Sequence, residues 1–316
     1  MSGKGKVAFV AFLLLVGSVG PWFWVEGKER VPAQLPDALS EYYQDWRGKH
    51  WLSLISCLAG PPCLPPSMPA RTFECIVLHD LGAQPMDSSK MARDYLVKVI
   101  EPLKENKSIQ LQDGTTIRFD QLDRLALAEL IYYYVRDGIL YPHPENAAGV
   151  GGALRSLPWL GLFVASLPWL VKFPVETVAT GYGECFDQAL LLATLLKIEG
   201  YDVAVGFFTP FAKPLDDRWA WWGYHCYVLV RDEGWGIGHW SPEKDVFGNP
   251  MPGKWIILDP INSPRHAPHM QMIGGGKPLS FGEDPPWTDY VYERFLLRSP
   301  WNWVLLTDDN PEVSCS

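Results

Sequence analysis

The chain is short of positive charge. Lysine and arginine total 27 against 36 aspartates and glutamates, for a formal charge of −9. A nucleic-acid backbone is gripped by a basic face, so no nucleic-acid partner is expected. Cysteine is scarce too, with six in 316 residues and no Cys-x-x-Cys pair among them. The missing pair makes a metal site the weaker reading of these cysteines, and no cofactor is expected. Long apolar runs are nearly absent. Only Val7–Val25 is uncharged over spanning length, at 19 residues. A second uncharged stretch, Ser156–Val171, has 16 residues and two prolines, which makes a poor spanning helix. What the chain has in plenty is tryptophan, 15, and proline, 28. These suggest an aromatic-rich surface and rigid loops without naming a ligand.

Lys4 and Lys6 precede the Val7–Val25 run, and the polar stretch Glu26–Arg30 follows it. This is the pattern of a signal peptide or signal anchor over residues 1–25. Gly17-Ser18-Val19-Gly20 offers small residues for cleavage, but Pro21 argues against a cut there. A membrane anchor that stays attached is the favoured reading, with a cleaved signal and a secreted body as the alternative. Positive charge on the short side puts the body outside the cytoplasm. Such a compartment permits a disulfide among Cys57, Cys63 and Cys75. Cys57 and Cys63 flank Pro61-Pro62 in a stretch that reads as a loop.

Residues 31–75 give no clean period. Met86–Lys104 reads as a helix with Asp87 or Ser88 as N-cap. Ser108–Phe119 alternates around Asp113-Gly114, a hairpin signal. Asp120–Arg136 reads as a second, amphipathic helix. Phe186–Glu199 has helical composition and stops at Gly200, a natural C′ residue. Strands are expected near 202–208, 224–231 and 254–259, and the tail 285–306 is expected to add a strand or cover the sheet. Residues 232–253 form a long loop suited to one wall of a cleft.

Three residues stand in settings that suit nucleophilic chemistry. Cys185 ends the turn Thr180-Gly181-Tyr182-Gly183-Glu184 and opens the leucine-rich helix. At a helix start the positive end of the dipole favours a thiolate. His225 lies in the strand-like Gly223–Val230, and Asp259 closes Lys254–Asp259 before Pro260. If these two strands pair with His225 opposite Asp259, then Val230 lies opposite Lys254. The carboxylate then takes a proton from one ring nitrogen and aims the other at the thiol. Singly, each residue has a plainer account: a buried helix-start cysteine, a satisfied core histidine, a strand-ending turn aspartate.

In order and setting, these segments resemble the core of the transglutaminase-like cysteine enzyme superfamily. Tyr134–Tyr141 looks like the helix end that precedes its catalytic region. Pro174–Val178 is similar to the stretch leading to its cysteine, and Gly200–Gly206 to its first sheet strand. The likeness covers roughly residues 120–262. It implies an α+β, papain-like core in which the cysteine starts a helix packed on an antiparallel sheet carrying His and Asp. The catalytic set it implies is Cys185, His225 and Asp259. The family's aromatic after His is replaced by Cys226, whose side chain should point to the sheet's other face. For the oxyanion, the Cys185 N–H is the first donor, and Trp169, Tyr182 and Gln188 are open choices for the second.

The expected layout is an anchor or signal at 1–25, an N-terminal region at 26–119 and a catalytic domain at 120–316. The domain carries an apolar insertion, 151–173, in which Ser-Leu-Pro-Trp-Leu occurs twice. A lid or helical pair packed on the core is favoured there over a hairpin dipping into the membrane surface. Trp219, Trp221 and Trp222 line a cleft or pack beneath the sheet, with neither reading ahead. His266, His269, Met270 and Met272 read as scattered loop residues rather than a soft-metal site. The expected activity is cysteine-dependent acyl transfer on a peptide or protein substrate, with hydrolysis favoured over amine cross-linking. The alternative is a non-catalytic module that keeps the fold for binding or scaffolding.

Overall fold

A computed structural model of the protein describes residues 35–59, 67–111, 113–140, 171–183, 185–208, 225–261, 279–285 and 303–306. Within them six helices and two antiparallel sheets make a mixed α+β architecture. Helix α1 is Asp37–Ala59, α2 Ser67–Asp80, α3 Asp87–Asn106, α4 Arg124–Gly138, α5 Pro174–Thr180 and α6 Cys185–Ile198. Strands β1 (Ser108–Gln110) and β2 (Thr116–Arg118) form the expected hairpin, with Ser108 opposite Arg118. The larger sheet holds β3 (Val203–Phe208), β4 (His225–Arg231), β5 (Trp255–Leu258) and β6 (Trp303–Leu306) in the order β5-β4-β3-β6.

Residues 31–75, which show no period in the sequence, contain α1 and most of α2. In α2, Thr72 to Asp80 are buried without a break, and a helix enclosed on every side carries no polar stripe. In α1 the inward positions are Leu39, Tyr43 and Trp46, at helical spacing. The loop reading around Cys57 is corrected, because that residue belongs to α1. Cys75, in α2, is disulfide-bonded. Its partner lies outside the described side chains.

The cap of α3 also differs from expectation. The N-cap is Met86, without a side-chain bond, and Asp87 is the first helical residue. The serine oxygens have other work: Ser88 Oγ lies 3.1 Å from His79 Nε2, and Ser89 Oγ accepts from Gln84 N–H. Helix α4 starts after Asp123, whose Oδ1 accepts from Ala126 N–H at 2.8 Å. Buried side chains of α1 to α4, α5, α6 and the larger sheet join in one apolar cluster.

The register of β4 and β5 corrects the expected pairing. Val228 faces Leu258 and Arg231 faces Trp255. Asp232 N–H then donates to Lys254 O at 2.8 Å, so Lys254 is level with Asp232 and not with Val230. Carried one step past its last pair, the ladder sets Asp259 level with Tyr227. The shift is two residues. Because strand side chains alternate with period two, His225 and Asp259 keep the same parity and become diagonal neighbours instead of opposed ones.

The loop after β4 is held at its start. Asp232 Oδ1 accepts the N–H groups of Gly234, Trp235 and Gly236, and Oδ2 accepts that of Gly238 at 2.6 Å. This folds the loop back at once, and pairing runs to the end of β4. Desolvation works to raise the Asp232 pKa, but these four N–H groups prevail and hold it below the ordinary value. The contribution is therefore present above the unfolded value, near pH ~4, and lost as pH falls through the lower folded one. In an acid titration of unfolding free energy, Asp232→Ala should be less stable at neutral pH and lose less stability below about pH 4. Parallel curves for variant and wild type would contradict this.

Among the described residues no helix is long and apolar enough to cross a membrane. The Val7–Val25 run and the 151–173 insertion up to residue 170 lie outside them, as do Trp219, Trp221, Trp222, His266, His269, Met270 and Met272.

Candidate active site

Cys185 is the first residue of α6, a thiol not in a disulfide, with 7% of its surface exposed. The turn that delivers it is tightly fixed. Gly181 ends α5 at φ +69°, a conformation that glycine adopts without strain. Leu140 N–H donates to Gly181 O at 2.8 Å and Gly183 N–H to Leu140 O at 3.0 Å, so the turn is stitched to the end of α4. At Gly183 an added Cβ would lie 2.9 Å from both Asp187 Cβ and Thr177 Cγ2. Both neighbours are buried and neither is a flexible side-chain end. Gly183→Ala should therefore cost about 1–3 kcal/mol by overpacking. It should also slow alkylation of Cys185, and denaturant unfolding with thiol labelling would reveal a harmless substitution.

The residues after Cys185 lock the same turn. Asp187 Oδ1 accepts Lys172 N–H at 2.8 Å, and Lys172 Nζ donates to Tyr182 O at 2.8 Å. Gln188 Nε2 donates to Gly183 O at 3.0 Å and to Ile139 O at 3.4 Å. Gln188 is thus committed to the turn and is no donor for an oxyanion. Trp169 lies outside the described residues, and Tyr182 is joined to Leu140 by a parallel bridge. Sequence reasoning missed Asp187 and Lys172 as turn-holding residues. The available signal was a carboxylate in the first turn of a leucine-rich helix.

His225 is the first residue of β4 and pairs with Phe208, the last of β3. Its side chain lies outside the described atoms. Cys226 is fully buried and pairs with Phe207. Asp259 follows β5 and is 1% exposed. Its Oδ1 accepts Ile261 N–H at 3.3 Å, and its carbonyl accepts the Tyr132 hydroxyl at 3.2 Å. Tyr132, on α4, also donates to Leu279 O at 3.3 Å. Burial raises the Tyr132 pKa, so the phenol stays protonated and can donate. Next to Asp259 in register, Tyr227 covers Gly206, and a Cβ at Gly206 would overlap its ring. Burial first, then Cys226 and Asp259, push the Tyr227 phenol well up.

These elements meet at one end of the sheet. Helix α6 packs along β4 and β3, and its C-terminus turns at Gly200 directly into β3. The start of α6 therefore lies toward the far end of β3, where Phe208 meets His225. A ring chain agrees with this: Phe186 to Phe73 at 5.3 Å, then Phe73 to Phe207 at 5.7 Å. Since β4 and β5 are antiparallel, the residue after β5 belongs to the same end. Among the described residues no group of three or more His, Cys, Asp or Glu could hold a metal ion.

Compared with protein-family models, with curated proteins and with solved structures, the chain matches none.

Proposed function

We propose that the protein is a cysteine-dependent acyl-transfer enzyme with a transglutaminase-like, papain-like core. Cys185 is its nucleophile, His225 its proton carrier and Asp259 the group that orients His225. The observation that carries this reading is a reduced thiol at the head of a helix packed on the strand that begins with His225, beside the strand that leads into Asp259. Cys185 Sγ attacks the carbonyl of a peptide or amide, and its proton goes to His225. The developing oxyanion takes the Cys185 N–H as one donor. The amine leaves with the proton from His225, and water then cleaves the thioester. Water is the favoured acceptor over a second amine.

The body is proposed to lie outside the cytoplasm, held by the N-terminal anchor. The disulfide at Cys75 suits an oxidising compartment. The full chain should stay with the membrane fraction after a high-salt wash, while a chain starting at Glu26 should be soluble and active. A freely soluble full chain would favour a cleaved signal instead.

The direct test of the chemistry is alkylation by iodoacetamide followed by mass mapping. Cys185 should react much faster than Cys226 and faster than a small free thiol at the same pH. Equal or slower reaction at Cys185 would favour the binding-module reading over the enzyme.

A further inference from the structure

Two hydrogen-bonded networks, one buried around Asp80 and one partly buried around Arg47, are centred far from Cys185 in the sequence and grip the segment that leads to it. Asp80, with no exposed surface, is the centre of the first. Its Oδ1 accepts the Tyr43 hydroxyl at 3.0 Å and lies 2.7 Å from His79 Nδ1. Its Oδ2 accepts the backbone N–H of Val175, in the first turn of α5, at 2.9 Å. His79 is fixed in turn. Its Nε2 faces Ser88 Oγ, and Tyr42 stacks on its ring at 4.1 Å.

The second network is centred on Arg47 of α1, which forms an ion pair with Glu176 of α5. Arg47 Nε also donates to Val171 O at 3.2 Å, and Glu176 Oε2 accepts Phe173 N–H at 2.8 Å. The Phe173 ring is stacked on Tyr43 at 4.1 Å and set edge-on to Trp46 at 5.2 Å.

Residues 171–176 are thus held from one side by α1 and α2. On the other side the same stretch holds the cysteine turn, because Lys172 N–H meets Asp187 and Lys172 Nζ meets Tyr182 O. Cys185 lies between Tyr182 and Asp187. A buried carboxylate is costly unless its partners are well placed, and here one of them is a backbone N–H of the connecting segment.

We infer that α1 and α2 belong to the catalytic scaffold, with Asp80 and Arg47 as positioning residues that set the Cys185 turn through residues 171–176. The inference rests on the acyl-transfer reading of Cys185. Asp80→Ala leaves the Val175 N–H, the Tyr43 hydroxyl and His79 Nδ1 without their acceptor. Asp80→Asn keeps an oxygen for Val175, while Tyr43 and His79 can reorient toward the amide.

The test uses the full chain at a temperature well below its melting point. It compares iodoacetamide alkylation of Cys185, kcat and KM on a peptide amide, and Tm. Asp80→Ala is expected to slow alkylation and lower kcat together by about tenfold or more, with KM little changed, as expected for a displaced nucleophile. Asp80→Asn should recover most of both. If Asp80→Ala does not fold, Glu176→Gln decides, since it keeps the acceptor for Phe173 N–H and loses only the charge facing Arg47. It should slow alkylation and kcat by roughly threefold. Folded variants with lower Tm but unchanged alkylation and kcat would overturn the inference and leave a purely structural clamp. A wild-type Cys185 no more reactive than an ordinary thiol would instead sink the acyl-transfer reading itself.

Discussion

Cys185→Ala should abolish acyl transfer and leave the folded protein almost as stable as before. The thiol is a small group at a helix start, and its loss removes one sulfur from a site with 7% exposure. Truncation of this kind deletes little apolar area, so a change of about 1 kcal/mol or less is expected. The turn has its own support. Gly181, Gly183, Asp187 and Gln188 hold it through backbone and side-chain hydrogen bonds that the substitution leaves alone. Activity, in contrast, should fall to the level of whatever oxyanion donors and binding supply on their own, on the order of 10⁴-fold or more below wild type. Cys226→Ala is the control. Cys226 is fully buried at the next position along β4 from His225. Its loss should cost stability by a small cavity and leave the kinetics nearly intact. A Cys226→Ala protein that is folded and as inactive as Cys185→Ala would mean that the nucleophile has been misassigned.

How much was legible in the sequence depends on how each signal arises. The hairpin at 108–118, the helix from Cys185 with its stop at Gly200, and the strands near 203, 225 and 255 follow from local chemistry and stand in the structure. Turn glycines, alternation and a leucine-rich run are local signals, so one sequence suffices for them. Helix α2 was not legible because its buried run from Thr72 to Asp80 has no period, whereas α1 does carry a helical stripe, Leu39, Tyr43 and Trp46, within a stretch rich in Trp and Pro. The strand register differs by two residues from the expected one, and the loop that follows β4 is folded back on the Asp232 carboxylate, which collects four loop N–H groups. Such a nest depends on loop geometry rather than on strand composition. The candidate site was read from residue types in order. Its support was not, since Asp80 and Arg47 reach residues 171–176 across more than 90 positions of chain. No local pattern reports contacts at that separation.

Loss of His225 should be more damaging than loss of Asp259. In the proposed mechanism His225→Ala removes the group that takes the thiol proton and later returns it to the leaving amine. An expected drop in kcat is on the order of 10⁵-fold, close to that of losing the nucleophile, because the two act as a unit. Asp259→Asn should cost roughly 10²- to 10⁴-fold, since orientation and charge support are lost while the acid–base group remains. The asparagine oxygen can still accept Ile261 N–H, and the Tyr132 bond goes to the backbone carbonyl, so the strand end should keep its place. The register sharpens this expectation. With Asp259 level with Tyr227, the carboxylate must reach His225 diagonally, across a Cα separation of about 7–8 Å rather than the closer spacing of an opposed pair. A diagonal partner holds the ring less tightly, which places the Asp259→Asn effect toward the lower end of its range. Alkylation supplies an independent reading. Removing His225 should slow iodoacetamide labelling of Cys185 and shift its pH dependence toward that of an ordinary thiol, whereas Asp259→Asn should change both less. If Asp259→Asn proves as severe as His225→Ala in kcat while its stability matches wild type, the assignment of roles is wrong. If His225→Ala leaves labelling and kcat unchanged, the histidine has no part in the chemistry and the strand pair is only a scaffold.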